Sequence, residues 1–381
     1  MLCSIGHTVY LYGARSTEEE PLENYIQSKN FHFIETHTVK EIGKTWGNGD
    51  NRFELLYDWT NTDFRHDFSS ERSPLTLKFN EKVINHINSI KKPDDFLLMT
   101  QGHYQKPIKD GVNLFLTCEP GIGYRGSLIG NFRAFESSYI QNFTYGSEAP
   151  FECINGSYYD RVIPNYFDEA DVEFSNQSDR NEEYYFFIGR MIKRKGILTA
   201  AMACNALGKK LYIAGQGAHV DHRGYLVPNE DPDFELAPGT WEYVGYVDVE
   251  KRKKLMKGAI ATFTPTEYLE CFAGTHIESM LHGTPPITTN FAVFPGTIPD
   301  IVDGGNHNTD LFDIVGFRCN TLQDFVDAAR KAKYVNRKRV RQHGIHFLMQ
   351  NVVYEYDKWF SDLYNVYEST ISDKKGWSRI V

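Results

Sequence analysis

The sequence has no CxxC pair. Its six cysteines, Cys3, Cys118, Cys153, Cys204, Cys271 and Cys319, stand singly along the chain. Zinc ribbons and disulfide frameworks therefore find no support, and a reducing compartment is the default. No apolar run approaches the roughly 18–20 residues that a membrane span needs. No basic segment followed by an apolar stretch opens the sequence, so no secretory signal of the usual kind is expected. Internal repeats and low-complexity tracts are missing as well. Positive charge is in deficit, 41 basic against 50 acidic residues for a net charge of -9. That balance counts against a protein whose work is to grip nucleic-acid phosphates over a wide surface, though not against a local basic groove. These absences together predict a cytoplasmic protein without a membrane span.

What is present is an ordinary globular mixture, 41% hydrophobic and 24% charged over 381 residues. At about 150 residues per domain that length suggests two domains. The 23 Tyr and 26 Phe suit clefts that handle sugars or bases, and equally suit core packing. Short apolar strands alternate with amphipathic helices, the pattern of an α/β protein with mostly parallel sheets. In the first half, strands are expected at 7–13, 31–34, 96–99 and 112–117. Helices are expected over 79–90, where Phe79, Val83, Ile87 and Ile90 recur at helical spacing, and over about 132–143. Residues 44–75 resist assignment. The acidic stretch 168–183 lacks any apolar period and reads as a linker. A second alternation follows, from strand 184–188 through a helix with Gly208 placed as its C-cap, strands 210–214 and 241–246, a short charged helix around Leu255, strand 259–264 and a helix over 275–282. Another strand and helix end near Lys333, and a long amphipathic helix covers 353–367. The expected domains are thus 1–167, the linker 168–183, 184–350, and a C-terminal helix and tail over 351–381.

The strongest chemical signal is ECFAGTHIE, which separates Glu270 and Glu278 by seven residues. The spacing alone is weak, since about one or two such pairs arise by chance in a chain of this length. Position strengthens it. Glu270 follows a predicted parallel strand, where open α/β sheets bind ligands, and Glu278 lies on the next helix. Phe272, Ala273, Gly274 and Thr275 would present backbone amides at that helix's N-terminus, a seat for phosphate. A loop carboxylate and a helix carboxylate on one pocket suit a ligand with many hydroxyls. The second signal, GRMIKRKG, also sits between a strand and a helix. Arg190 offers a forked donor for phosphate oxygens and Lys195 a compact charge. Alone it would read as an exposed basic turn. Two such loops at equivalent strand ends favour one bound diphosphate.

GIGYRG, residues 121–126, satisfies G-x-G-x-x-G, yet a dinucleotide turn needs a helix opening at its last glycine. Glu119 and Pro120 intervene, Tyr124 is bulky for a phosphate turn, and the expected helix starts later. Gly121, Gly123 and Tyr124 read instead as a ligand loop of an interdomain cleft. His103 and Glu119, each just past a predicted strand, are the acid–base candidates of the first half, although a histidine there is more often structural. No Ser-His-Asp order, HExxH or Walker lysine loop can be assigned.

Taken together, the GR-x4-KG loop, the GQG loop with Gly215 and Gly217, the strand at VGYVD, the E-x7-E block and TIPDIVDGG resemble retaining GT-B glycosyltransferases of the family 4 (group 1) type, in order and in spacing. The similarity spans roughly residues 160–335. VIPNYFD looks like that family's step into the second domain, and EPGIGYRG with FRAFES looks like a subgroup common in viral and bacterial sequences. The resemblance implies two Rossmann-like domains facing each other across a cleft, with the C-terminal helix crossing back. It implies that Arg190 and Lys195 hold a donor diphosphate, Glu270 sugar hydroxyls and Glu278 ribose hydroxyls. By the same resemblance the backbone of Phe272–Thr275 meets sugar and phosphate, and Tyr246 and Val247 flank the base. A nucleotide sugar would be the co-substrate, with no further cofactor and no metal, and a hexosyl or pentosyl group would pass to a hydroxyl with retention. Relatives carry a histidine in the first domain where Glu119 stands here. They also begin with a strand, a glycine loop and a helix before the point that MLCSIGHTVYLYG matches. The expectation is either that the start has been lost or misassigned or that the first sheet lacks its usual first strand and a phosphate-contacting loop.

Two rival readings follow. A nucleotide-sugar epimerase can use the same cleft without an acceptor. A catalytically silent homologue would bind nucleotide sugar or a partner protein without turnover. Acceptors within the transferase reading include a growing polysaccharide, a glycoprotein glycan or a modified base in viral DNA, the acidic balance counting mildly against the last.

Overall fold

The computed structural model describes residues 1–15, 28–38, 74–124, 128–148, 158–176, 178, 183–229, 231, 234–298 and 314–371. The chain divides into two compact units, one formed by Met1–Glu136, Ile140–Ile163 and Val353–Val381, the other by Ser137–Tyr139 and Pro164–Val352. Both are α/β. Among the described residues no helix is long and apolar enough to cross a membrane.

In the first unit, β1 (Val9–Arg15) pairs in parallel with β2 (Phe31–Thr38). Helix α1 (Pro74–Ile90) buries Val83 and Ile87 at i, i+4 against Leu97, Met99, Ile108 and Val112, with Phe79 packed alongside. Ile90, on the same predicted stripe, is exposed. A parallel sheet in the order β3-β4-β5-β6 follows, built from β3 (Leu97–Leu98), β4 (Thr117–Ile122), β5 (Phe132–Phe135) and β6 (Arg161–Val162), with α2 (Lys106–Val112) and α3 (Ser138–Glu148) between strands.

Two segments differ from the sequence expectation. The run 112–117 is not a strand. Val112 closes α2, and Asn113 turns left-handed at φ 53 with its N–H bonded to Lys109 O at 2.9 Å. Asn tolerates that conformation where most residues do not. The strand begins only at Thr117, and its ladder shifts register between Glu119 and Ile122, where Pro120 has no N–H to give. The expected helix over 132–143 is also divided. FRAF pairs with β4 and β6 as a strand, and the helix starts at Ser138. A segment as short as FRAF fits either state, and here its parallel neighbours decide.

The second unit holds a six-stranded parallel sheet in the order β11-β8-β7-β12-β13-β14. Its strands are β7 (Tyr184–Ile188), β8 (Lys210–Ala214), β11 (Trp241–Gly245), β12 (Thr262–Thr264), β13 (Pro286–Thr289) and β14 (Phe317–Cys319), and a small antiparallel hairpin, β9 (Ala218–Val220) with β10 (Leu226–Pro228), follows β8. The helices are α4 (Ile197–Leu207), α5 (Val249–Gly258), α6 (Gly274–Leu281), α7 (Phe294–Thr297), α8 (Leu322–Ala332) and α9 (Arg337–Gly344). Gly208 ends α4 at φ 60 as its C-cap. The core joins Phe187, Ile213, Phe263, Ile287 and Phe317 of the sheet to Ile197, Ala201, Ile277 and Ala328 of the helices. Helix α10 (Met349–Ile371) starts in this unit and belongs to the first from Val353 onward. There Trp359 is buried and donates to Tyr159 O at 2.9 Å.

The acidic stretch expected to be a linker is folded onto the second unit over residues 168–176. Val172 enters the core, Ser175 is fully buried, and Glu169 takes Arg341 at 3.1 Å and Gln350 at 2.8 Å. Ion pairs rather than an apolar stripe hold it, which is why periodicity is silent there. Residue 177 and residues 179–182 of the same stretch, residues 299–305 of TIPDIVDGG, and Arg125 and Gly126 of the glycine loop lie outside the described residues.

Candidate functional site

Strand β7 lies between β8 and β12. The chain first builds outward on one side, through β8 to β11, and then returns to build through β12 to β14. The carboxyl ends of β7 and β12 therefore flank the point where the winding reverses, the place where open parallel sheets take ligands. The loop after β7 carries Arg190 and Lys195, and the loop after β12 carries Glu270.

Backbone contacts pin these loops together. Gly196 adopts φ 74, and a Cβ there would lie 1.9 Å from Pro265 O. The N–H of Glu267 bonds Arg194 O at 2.9 Å. Lys195 Nζ consequently meets a Glu270 carboxylate oxygen in an ion pair and donates to the Tyr268 hydroxyl at 2.9 Å. Arg194 and Lys195 both lie over the Tyr268 ring, each 4.9 Å from its centroid. Burial raises the Tyr268 phenol and Lys195 pulls it back. The Lys195 and Glu270 side chains are 21% and 10% exposed, so the pair is screened little by water. Arg190 is exposed and has no ion pair or hydrogen bond through its side chain among the described residues.

Glycines line the neighbouring strand ends. Gly215, at φ 143, leaves room for Gly189 O, which a Cβ would approach to 1.8 Å, and its N–H bonds Gly245 O at 2.9 Å. Tyr243 donates to Gly215 O at 2.7 Å. Gly217 takes φ 89 with open space where a Cβ would be. The loops after β7, β8 and β11 thus run side by side at backbone distance.

Helix α6 opens with Ala273 in the left-handed region at φ 58 and no side-chain cap. The amides of Gly274 and Thr275 open the first turn without an intrahelical partner, whereas the His276 N–H bonds Ala273 O at 3.2 Å. Phe272 is buried against Phe347, and Ser137, the last residue of FRAFES, donates to Cys271 O at 2.5 Å. His276 secures the turn from below. Its Nδ1 lies 2.6 Å from Ala273 O and its Nε2 2.7 Å from Thr297 Oγ1. A carbonyl only accepts, so Nδ1 carries the proton and the threonine hydroxyl donates to Nε2. Burial holds this imidazole down at about 4, neutral at pH 7. Sequence reasoning passed over His276, whose role depends on Thr297, 21 residues away.

Glu278, buried on α6, forms an ion pair with Arg252 of α5 at 2.6 Å. Burial raises its carboxyl and Arg252 opposes the rise. Tyr246 is exposed. Val247 turns its side chain into a small core with Tyr184, Phe186 and Met256, so only its backbone is free to flank a base.

The first-unit candidates gather separately. His103 sits on a short 3-10 turn, Gly102–Gln105, after β3. Glu119, expected beyond its strand, lies within β4 and is fully buried. One carboxylate oxygen accepts from Tyr124, the other from the N–H of Ile129 at 2.8 Å and of Gly130 at 2.9 Å. Burial and the Glu119 charge push the Tyr124 phenol up, while a hydrogen bond from the Gly102 backbone opposes them. Gly121 turns at φ 66, and a Cβ on Gly123 would collide with Glu136. The element after this loop is the strand β5 rather than a helix, so it lacks the form of a dinucleotide turn.

Residues 168–305 match the family model described as glycosyl transferases group 1. No curated protein matches the chain. Among solved structures, sucrose-phosphate synthase from Thermosynechococcus elongatus covers 96% of this chain with 91% of its own, at 14% identity and a TM-score of 0.61. A glycosyltransferase from Rickettsia africae covers 94% with 91%, at 12% identity and 0.57. The Anabaena protein HepE, in complex with UDP and glucose, covers 92% with 91%, at 11% identity and 0.54. The fold is GT-B. The family match is confined to residues 168–305, within the second unit, and the solved structures speak for the fold.

Proposed function

We propose that the chain is a retaining glycosyltransferase that moves a sugar from a nucleotide-sugar donor to a hydroxyl of a glycan or another acceptor. The observation that carries this reading is the junction of two loops at the winding reversal, where Lys195, Tyr268 and Glu270 meet. A diphosphate needs fixed positive charge as it leaves, and a sugar needs a carboxylate for its hydroxyls. Arg190, Lys195 and the first-turn amides of α6 supply the former, without a metal ion. Glu270 takes the sugar hydroxyls and Glu278 the ribose. Gly215 and Gly217 let the backbone approach the donor, and the exposed Tyr246 and the Val247 backbone flank the base.

The first unit holds the acceptor in this reading. His103, partly exposed beside the Tyr124 turn, is its remaining acid–base candidate, because Glu119 already receives three donors. Nucleotide release from UDP-, GDP- and ADP-sugars tests the proposal. Release from one donor, lost in Glu270→Ala, is expected. Conversion of a donor without nucleotide release would indicate epimerisation instead, and no binding or release from any donor would overturn the reading.

A further inference from the structure

Arg252 and Glu278 come from different helices and meet through the fold alone. Helix α5 follows directly on the Tyr246–Val247 loop. Asp248 caps it by accepting from the Lys251 N–H at 2.7 Å, Met256 is buried beneath it, and Tyr184 donates to Leu255 O at 3.0 Å. Arg252 therefore projects from a fixed helix, and its Nε lies 2.6 Å from Glu278 Oε1. The contact is one of charge, Arg252 Nε making no hydrogen bond of good geometry, and Oε2 has neither an ion pair nor a hydrogen bond among the described residues. One side of the carboxylate is held and the other is available to a hydroxyl.

We propose that Arg252 is a positioning residue for nucleotide binding, anchoring the Glu278 carboxylate so that Oε2 can receive the ribose hydroxyls. The inference rests on the reading of the second unit as a nucleotide-sugar site. It also links the loop beside the base to the helix beside the ribose, so that both halves of a nucleoside are placed by one ion pair.

The charges around Glu278 give the proposal a signature. Arg252 approaches from α5, and Asp171 from the turn ahead of β7 raises the Glu278 carboxyl together with burial. His282, the C-cap of α6, is held neutral by burial, with Arg252 and Arg341 of α9 lowering it further and the Glu278 backbone and Glu173 opposing them. Without Arg252 the groups named here that act on the Glu278 carboxyl all favour its protonated form. A protonated acid loses acceptor capacity, so ribose binding should weaken as pH falls.

The test is calorimetric titration of the full chain with UDP, GDP and ADP from pH 6 to pH 8.5, with thermal melts confirming a folded protein. For whichever nucleotide the wild type binds, Arg252→Met should lose about tenfold more affinity than the wild type between the two ends of that range, a factor of ten per pH unit being the limit for one proton. Arg252→Lys should recover much of the difference. In the double variant with Glu278→Gln the extra pH dependence should vanish. If Arg252→Met keeps the wild-type affinity and profile, or is weakened equally at every pH, the inference is overturned while the nucleotide site stands. A wild type that binds no nucleotide overturns both.

Discussion

Gly196 stands so close to Pro265 that a Cβ on the glycine would lie 1.9 Å from the proline's carbonyl oxygen. The contact brings Lys195 to Glu270, because the next residue back carries the lysine. Gly196→Ala would meet both that clash and a left-handed φ of 74, which alone costs a non-glycine residue about 1–3 kcal/mol. The expected outcome is a lower melting temperature together with loss of nucleotide affinity comparable to that of Lys195→Ala. Wild-type affinity in a melted-down but still folded Gly196→Ala would separate the two loops' coupling from the site.

Tyr268 is the residue at this junction that the motifs did not single out. Its hydroxyl receives Lys195 Nζ, and its ring lies under both Arg194 and Lys195. Tyr268→Phe removes the hydroxyl and keeps the ring, losing a hydrogen bond from a charged donor worth about 1.5–3 kcal/mol. The melting temperature should therefore fall less than in Lys195→Met, which strands the buried Glu270 carboxylate at a cost of about 3–5 kcal/mol, and steady-state turnover should fall with the loosened lysine. Equal turnover in Tyr268→Phe and wild type would remove the hydroxyl from the mechanism.

The second unit was largely legible because its strands are continuous apolar runs, YYFFI and KLYIA, and its α4 stop is a glycine. Such runs mark strands buried on both faces. The loops that follow them carried the candidate site residues for the same reason. The first unit was harder. TCEPGI contains Pro120 and Gly121, residues that ordinarily argue against a strand, and only pairing with β3 and β5 shows how a register shift accommodates them. The Arg252–Glu278 pair was out of reach, since it needs the spatial order of helices on a sheet. Glu119 was visible as a carboxylate near a loop, but its three donors lie five to eleven residues downstream.

His276 and His282 are fully buried and both are depressed to about 4. Their folded values lie below the unfolded value of about 6.5, so in that interval the unfolded chain binds more protons than the folded one. Stability from these residues is complete above about pH 6.5 and declines as pH falls toward 4, by up to about 3 kcal/mol each. Urea unfolding between pH 4 and 7 should show the wild type losing stability more steeply than His276→Gln, by about one proton's slope. Parallel curves would mean that His276 takes up its proton alike in the folded and unfolded chain, and that burial does not hold it neutral.

Glu119 provides a last test, of a buried carboxylate committed to its own loop. Tyr124, Ile129 and Gly130 all donate to it, and a Cβ at Gly130 would stand 2.7 Å from Glu119 Cβ, so the segment is folded tightly over this side chain. Glu119→Ala would leave two amides and a phenol without their acceptor in a dry setting, at a cost of about 2–4 kcal/mol. Glu119→Gln keeps one carbonyl oxygen and should cost less. An acid–base catalyst would behave the other way: the amide, unable to exchange a proton, would abolish turnover while the fold stayed intact. Turnover that follows melting temperature across Glu119, Glu119→Gln and Glu119→Ala is therefore the expected result. A fully stable but inactive Glu119→Gln would return this residue to the chemistry.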